Sequence, residues 1–181
     1  MSQIVIVSGP PGSGKSSVCE SLCERYDRTV HLETDMLYAS VRLGRLRPWH
    51  PEAGRQNRMV TRAAARAASA FAQELYGVFI DAVVLPHLLP VYLEELPTAR
   101  VPVHFALLLP SLEETVRRGL AREETLRVPE DRLRELWKRF HDAGAFAGCI
   151  IDNTRMTADQ AADAVMEACG EGRCLVLQPE G

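Results

Sequence analysis

The chain of 181 residues contains no hydrophobic stretch long enough to form a membrane-spanning helix. Its most apolar segment, residues 79–93, is interrupted by Asp81, Pro86, His87 and Pro90. The N-terminus lacks the basic region of a signal peptide, and its first apolar run ends at residues 9–12, Gly-Pro-Pro-Gly. The five cysteines do not have the spacing of a disulfide framework. These features predict a cytoplasmic protein that does not bind a membrane.

The chain also lacks an excess of positive charge, since its formal net charge is −3. A protein that grips nucleic acid over a large surface is usually basic, so nucleic acid is not the expected partner. No N-K-x-D segment, which would indicate a GTPase, occurs in the sequence. There is no internal repeat and no low-complexity linker, so residues 1–181 are predicted to form a single domain.

Short apolar runs alternate with helical patterns along the chain. The runs predict strands at residues 3–8, 29–33, 78–81, 102–109 and 149–152. Helices are expected at 16–26, from 35 to a stop at 44, at 55–75, 88–96 and 130–143, and after the capping boxes Ser111/Glu114 and Thr157/Gln160. In the alanine-rich helix 55–75, the expected apolar face is Met59, Val60, Ala63, Ala67 and Phe71. This alternation predicts an α/β fold in three layers, with a parallel sheet between helices.

A glycine-rich segment follows the first strand. Residues 9–16, Gly-Pro-Pro-Gly-Ser-Gly-Lys-Ser, match G-x-x-x-x-G-K-[ST] between a predicted strand and a predicted helix. Such a loop points backbone N–H groups at phosphate oxygens, and the positive end of the next helix adds to the attraction. We expect Lys15 to contact the β- and γ-phosphates and Ser16 to bind Mg²⁺. The predicted ATP-binding residues are Gly9, Pro10, Pro11, Gly12, Ser13, Gly14, Lys15, Ser16 and Ser17.

Carboxylates end the second and third predicted strands, where ligands bind in open α/β sheets. Asp35 is the candidate for accepting a proton from the acceptor hydroxyl, and its alternative role is to cap the helix that it opens. Glu33 is a candidate for holding a water on Mg²⁺. Asp81 ends an apolar strand in a Walker-B-like pattern and could reach the metal or the substrate, or serve only as a turn residue.

With these motifs, residues 4–169 resemble the P-loop kinases that include shikimate kinases, gluconate kinases and chloramphenicol phosphotransferases. Glu33-Thr34-Asp35 resembles the D-T-D of shikimate kinases, with Glu in place of the first Asp. Residues 50–55, His-Pro-Glu-Ala-Gly-Arg, are more similar to the chloramphenicol phosphotransferases. The resemblance implies a five-stranded parallel sheet in the order 2-3-1-4-5, a small helical lid at about residues 118–130, and transfer of the γ-phosphoryl group of ATP to a hydroxyl.

The resemblance also extends to the lid and to the fifth strand. It implies that Arg118 lies against the adenine and that Arg122 or Arg127 moves onto the transferred phosphate. It further implies that the loop after the fifth strand, with Thr154 and Arg155, closes the other side of the adenine. A planar guanidinium is suited to phosphate oxygens, which supports a catalytic arginine independently. The alternative is a solvated helix face, on which Arg117, Arg118 and Arg122 pair with Glu113, Glu114 and Glu123.

Seven arginines and one acid, Glu52, occur between residues 42 and 66. This segment corresponds to the acceptor-binding region of the resembling kinases. One hypothesis is an acceptor with a carboxylate or phosphate, bound by Arg55 or Arg58, with Trp49 as an apolar wall. The other is a solvated helix face. The arginines are Arg42, Arg45, Arg47, Arg55, Arg58, Arg62 and Arg66.

Three functions therefore remain open at this stage. The first is an ATP- and Mg²⁺-dependent kinase acting on a small molecule, as a monomer or homodimer. The second is a polynucleotide 5′-hydroxyl or nucleotide kinase, with the arginines on a phosphate backbone. The third is a nucleotide-binding regulatory module without transfer activity.

Overall fold

Six strands form one sheet in the computed structural model, which describes residues 2–96, 100–122, 127–142 and 144–178. They are β1 (Ile4–Ser8), β2 (Thr29–Glu33), β3 (Gly77–Asp81), β4 (Val103–Leu108), β5 (Ile150–Ile151) and β6 (Leu175–Leu177). Strands β1 to β5 are parallel and follow the order β2-β3-β1-β4-β5, which confirms the predicted fold. The sequence prediction missed β6, which pairs antiparallel with β4 and makes the sheet six-stranded rather than five-stranded.

The three central strands explain why the sheet lies inside the molecule. Every residue of β1, β3 and β4 is buried. Continuous apolar strands of this kind need helices on both faces of the sheet, because a parallel sheet is covered on both sides. One core contains Ile4, Ile6 and the alanines of the third helix, and the other contains Val5, Val7 and the first and last helices. The molecule therefore has the predicted three layers.

Seven α-helices connect and cover these strands in the described part of the chain. They are α1 (Lys15–Cys23), α2 (Thr34–Ser40), α3 (Gly54–Gln73), α4 (Leu89–Glu95), α5 (Leu112–Leu120), α6 (Glu130–His141) and α7 (Ala158–Gly170). Short 3-10 turns occur at Pro51–Ala53 and Gly144–Cys149. None of the described helices combines the length and the apolar character that crossing a bilayer requires.

The buried face of α3 differs from the predicted face. Val60, Thr61, Ala64, Ala65, Ala68, Ser69 and Ala72 are buried. Met59 and Phe71 instead remain 52% and 41% exposed. An alanine-rich helix offers two similar small-residue faces, so the pattern alone could not separate them. On the exposed side of α3, Arg62 and Arg66 pair with Glu95 of α4.

The region predicted to form a lid lies around the end of α5 and the start of α6. Arg118 belongs to α5, and Glu130 begins α6. Residues 123–126 lie outside the described residues, so the predicted pairing of Glu123 does too. Ser111 caps α5 as expected by accepting from the Glu114 N–H, but the Glu114 carboxylate binds Arg117 and Arg118. The second capping box, Thr157 with Gln160, is complete.

Candidate functional site

The loop between β1 and α1 is wound tightly through its glycines. Gly9, Gly12 and Gly14 all have positive φ angles. A Cβ atom at Gly12 would lie 2.5 Å from the Thr115 carbonyl oxygen of α5, so only glycine fits there. No side chain in the described part of the chain caps α1, whose N-terminus follows the loop directly. The unpaired N–H groups at this end form an anion-binding position.

Lys15 is the first residue of α1 and is 9% exposed. Its ammonium donates a hydrogen bond of 3.1 Å to the carbonyl oxygen of Pro10, on the other side of the loop. Burial lowers the pKa of Lys15 below its ordinary value, while Asp81 and Asp35 oppose that shift. The loop therefore holds one buried cation beside two carboxylates.

Ser16 and Asp81 connect the loop to the end of β3. The Ser16 hydroxyl donates a hydrogen bond of 2.6 Å to Asp81 Oδ2. The Thr34 hydroxyl, at the start of α2, donates to the Asp81 carbonyl oxygen at 3.0 Å. Glu33 is the register partner of Asp81 on the neighbouring parallel strand. Four oxygen-bearing side chains, those of Ser16, Glu33, Thr34 and Asp81, thus lie at one edge of the sheet.

His31 is a neighbour of Asp81 that sequence reasoning missed. Its Nε2 lies 3.8 Å from Asp81 Oδ2, which is an ion-pair distance rather than a hydrogen bond. The Asp81 carboxylate raises the pKa of His31. Burial alone would raise the pKa of Asp81, but His31, Lys15 and the Ser16 hydroxyl together lower it. The Asp81 carboxylate is therefore held in its ionised form.

Asp35 lies in the first turn of α2 and is exposed. The N-cap position of this helix is Glu33, so the alternative that Asp35 is the cap residue is wrong. Tyr38, one turn later, donates to Asn57 of α3 at 2.9 Å. Burial and the Asp35 charge raise the pKa of Tyr38 to about 12. Asp35 is thus positioned by a helix that is tied to α3.

The other side of the loop contacts Arg118 and the segment after β5. Arg118 donates to Glu114 at 2.5 Å and to the Thr154 carbonyl oxygen at 3.2 Å. Asn153 is buried and donates to the Ser13 carbonyl oxygen at 2.8 Å. The sequence analysis selected Thr154 and Arg155 of this segment but not Asn153, because the sequence does not show that this polar side chain is buried. Thr154 and Arg155 line a shallow pocket with Ser111 and Gln160.

A cavity of about 930 Å³ opens from the loop. Glu33, Asp35 and Asp81 line it, as do Lys15 and Ser16. The other predicted site residues that line it are Pro11, Gly12, Gly14, Ser17, Trp49, Arg118, Arg122 and Arg127. Arg55 and Arg58, the arginines predicted to bind the acceptor, are exposed on α3 and do not line the cavity. Three arginines that were not selected do line the cavity, namely Arg45, Arg47 and Arg139.

Residues 4–145 match a family model described as an AAA domain, AAA_33. The chain belongs to this family of P-loop domains. The match covers the loop, the carboxylates at the strand ends, and helices α1 to α6. No sequence among the curated proteins matches the chain.

Solved structures with the same fold agree with membership of the AAA_33 family. A tunicamycin resistance protein from Deinococcus radiodurans is 19% identical, with a TM-score of 0.71, covering 99% of this chain and 100% of the other. A sugar kinase from Janibacter sp. HTCC2649 is 18% identical, with a TM-score of 0.72 and coverages of 94% and 95%. A shikimate kinase from Acinetobacter baumannii is 20% identical, with a TM-score of 0.62 and coverages of 95% and 94%. At these identities the similarity establishes the fold.

Proposed function

We propose that this AAA_33 domain is an ATP-dependent phosphotransferase that moves the γ-phosphoryl group onto a hydroxyl of a small molecule. The observation that carries the proposal is the shared cavity of Lys15, Ser16, Asp35 and Asp81. A phosphate-binding loop at one end and an exposed carboxylate on its wall would bring a nucleotide and a hydroxyl together. The cavity volume of about 930 Å³ is in the range of small-molecule sites.

In this proposal the nucleotide is bound by residues 9–17 and by the neighbouring residues of α5 and of the segment after β5. The backbone of the loop and the N-terminus of α1 would hold the phosphates. Arg118, Thr154 and Arg155 would contact the adenine, since Arg118 already lies against the loop and against the Thr154 carbonyl oxygen. Asn153, which holds the Ser13 carbonyl oxygen, would keep the loop in shape.

The donors around Asp81 are suited to Mg²⁺. Hard oxygen ligands are what this ion prefers, and it usually takes only one or two from the protein together with waters and substrate phosphates. Ser16 and Asp81 would hold the ion, and Glu33 would hold one of its waters. The described residues contain no group of three or more His, Cys, Asp or Glu side chains that could hold a metal ion by themselves. When bound, the ion would neutralise charge on the phosphates.

The chemistry assigned to the chain is proton removal and charge neutralisation. Asp35 would accept the proton of the acceptor hydroxyl, whose oxygen bonds to the γ-phosphorus as the bond from that phosphorus to the bridging oxygen breaks. Lys15, together with Arg118, Arg122 and Arg127, would balance the charge on the transferred group. Arg127 contacts the Arg122 carbonyl oxygen at 3.1 Å, so these two arginines are already close together.

Turnover with a panel of sugar acids, nucleosides and neutral antibiotics tests the proposal. ADP release would be measured with and without each compound. We expect at least one compound to stimulate release and to gain a phosphate, which mass spectrometry would detect. Slow ATP hydrolysis that no compound stimulates would favour a regulatory nucleotide-binding module instead. Phosphorylation of a single-stranded oligonucleotide, with steep weakening by salt, would favour a polynucleotide kinase.

A further inference from the structure

Three arginines of the cavity wall have no role in the proposed function. Lys15, Arg118, Arg122 and Arg127 are assigned to phosphate and adenine in the proposed function, on which this inference rests. Arg45, Arg47 and Arg139 also line the cavity. Within the described ranges, none of these three arginines has a carboxylate at ion-pair distance, whereas Arg62 and Arg66 of α3 both pair with Glu95. These guanidinium groups remain available for an anion.

The backbone that carries Arg45 and Arg47 is held in place by α3. Gln56 accepts from the Leu46 N–H at 2.9 Å and donates to the Leu46 carbonyl oxygen at 2.8 Å. Asn57 donates to the Pro48 carbonyl oxygen at 2.8 Å. Leu46 lies between the two arginines, so fixing both of its backbone groups fixes the starting points of both side chains. A pre-arranged pair of arginines loses less entropy on binding an anion.

The same segment also reaches the opposite wall of the cavity. Trp49 packs against the apolar cluster formed by Val116, Val128 and Leu133 of the α5–α6 region. The Arg47 guanidinium lies 5.5 Å from the centre of the Trp49 ring. A planar apolar surface thus lies beside a cation, which suits a ligand with an anionic group attached to a flat or apolar body.

Further positive charge lies near His87, on another part of the cavity wall. Burial lowers the pKa of His87, a lining residue, and the charges of Arg139 and Arg58 lower it further. The carboxylates of the cavity, Glu33, Asp35 and Asp81, would repel an anion from the hydroxyl-binding position. An acceptor with both groups would therefore bind in one orientation, with its hydroxyl toward Asp35 and its anionic group toward the arginines.

We propose that the acceptor carries a carboxylate or phosphate group in addition to its hydroxyl, and that Arg45 and Arg47 bind this group. Charge-assisted contacts of this kind strengthen binding by at least about tenfold. The arginines set specificity, while the hydroxyl chemistry stays with Asp35.

The test measures binding of matched compounds to protein loaded with Mg²⁺ and a non-hydrolysable ATP analogue. The pairs are gluconate with glucose, glucose 6-phosphate with glucose, and uridine 5′-phosphate with uridine. Calorimetry gives the affinities, and tryptophan fluorescence, to which Trp49 and Trp137 contribute, is a second signal. The charged member of at least one pair should bind at least about tenfold more tightly than the neutral member.

The Arg45→Gln/Arg47→Gln double variant should remove that preference. Arg42→Gln/Arg100→Gln is its matched control, because it removes two positive charges from exposed arginines outside the cavity. The control should keep the preference. Gln56→Ala should weaken binding of the charged compound and leave the neutral one unchanged, which a general loss of stability would not do.

Several results would overturn the proposal. These are the absence of any charge preference in every pair, a preference that survives in the double variant, or one that is lost equally in the control. Displacement of the charged compound by a single-stranded oligonucleotide would assign the arginines to a phosphate backbone instead. Tight binding of a charged compound without phosphoryl transfer would contradict the proposed function but not this subsite. Phosphoryl transfer to neutral compounds only would contradict the subsite but not the proposed function.

Discussion

The Ser16 hydroxyl donates a 2.6 Å hydrogen bond to the Asp81 carboxylate, across 65 residues of sequence. This contact joins the phosphate loop to the end of β3 and places two oxygen donors where a metal would meet the nucleotide phosphates. We expect Asp81→Asn to raise the Mg²⁺ concentration for half-maximal ATP turnover by about tenfold or more, because a neutral amide binds Mg²⁺ weakly. A Mg²⁺ titration measures this, with the exposed Asp27→Asn as control. An unchanged titration midpoint would show that Asp81 is only structural.

Lys15 is the buried cation of the loop. Replacing it in Lys15→Ala removes charge from the site of the transferred phosphate, and we expect kcat to fall by at least about a hundredfold. The chain has one other lysine, Lys138, which is exposed on α6. Lys138→Ala is therefore a matched control and should keep its activity. Equal rates for Lys15→Ala and the wild type in an ADP-release assay would rule out the assigned role.

Asp35 is predicted to act on the acceptor rather than on the nucleotide. Asp35→Asn keeps the shape of the side chain but cannot take a proton, so kcat should fall by about a hundredfold or more. Binding of the ATP analogue, measured by calorimetry, should remain close to that of the wild type. The charge also lies in the first turn of α2, where its loss costs about 0.3–1 kcal/mol of stability. A variant with nearly normal kcat would leave only this structural role.

Gly12 and Gly44 form a matched pair for testing the loop. Both have positive φ, of 89° and 72°, but a Cβ at Gly44 would meet no atom within 4 Å. Gly44→Ala should therefore lose only about 1–2 kcal/mol of stability, the cost of holding an alanine at positive φ. Gly12→Ala adds a contact of 2.5 Å with the Thr115 carbonyl oxygen, so it should lose more stability and also its ATP affinity. Urea unfolding and calorimetry measure the two effects. Similar behaviour of the two variants would contradict a tightly constrained loop.

Glu114 gives a prediction for pH dependence. Hydrogen bonds from Arg117 and then Arg118 lower its pKa from 4.5 to about 2. A carboxylate whose pKa is lowered by folding contributes stability above its unfolded value, and that contribution is lost as the pH falls through the folded value. Glu114→Gln should thus be less stable than the wild type at pH 7, and the difference should shrink between about pH 4.5 and pH 2. Urea unfolding at both ends of this range, with Glu113→Gln as control, checks the trend. A constant difference would exclude the ion pairs as its cause.

Local patterns were sufficient for the order and type of most elements. The apolar runs of β1, β3 and β4 could be recognised because buried strands need continuous apolar residues. The bounds of β2 were predicted correctly at residues 29–33. Strand β6 was missed because Leu175–Leu177 is short and follows a turn. It is defined by its antiparallel pairing with β4, which the sequence does not show.

The sequence by itself identified the phosphate loop, since the spacing of its glycines, Lys15 and Ser16 is local and can be recognised before any distant partner is known. It also placed Glu33, Asp35 and Asp81 at strand ends, because parallel strands finish on one edge. Only the tertiary structure decided which arginines face the cavity and that His31 and Asn153 contact the site. The positions of the arginines depend on the rotation of α3 and on the path of residues 41–50, which α3 holds. The contacts of His31 and Asn153 depend on the pairing of β2 with β3 and on the packing of the segment after β5 against the loop. All of these are set by packing between elements far apart in the chain.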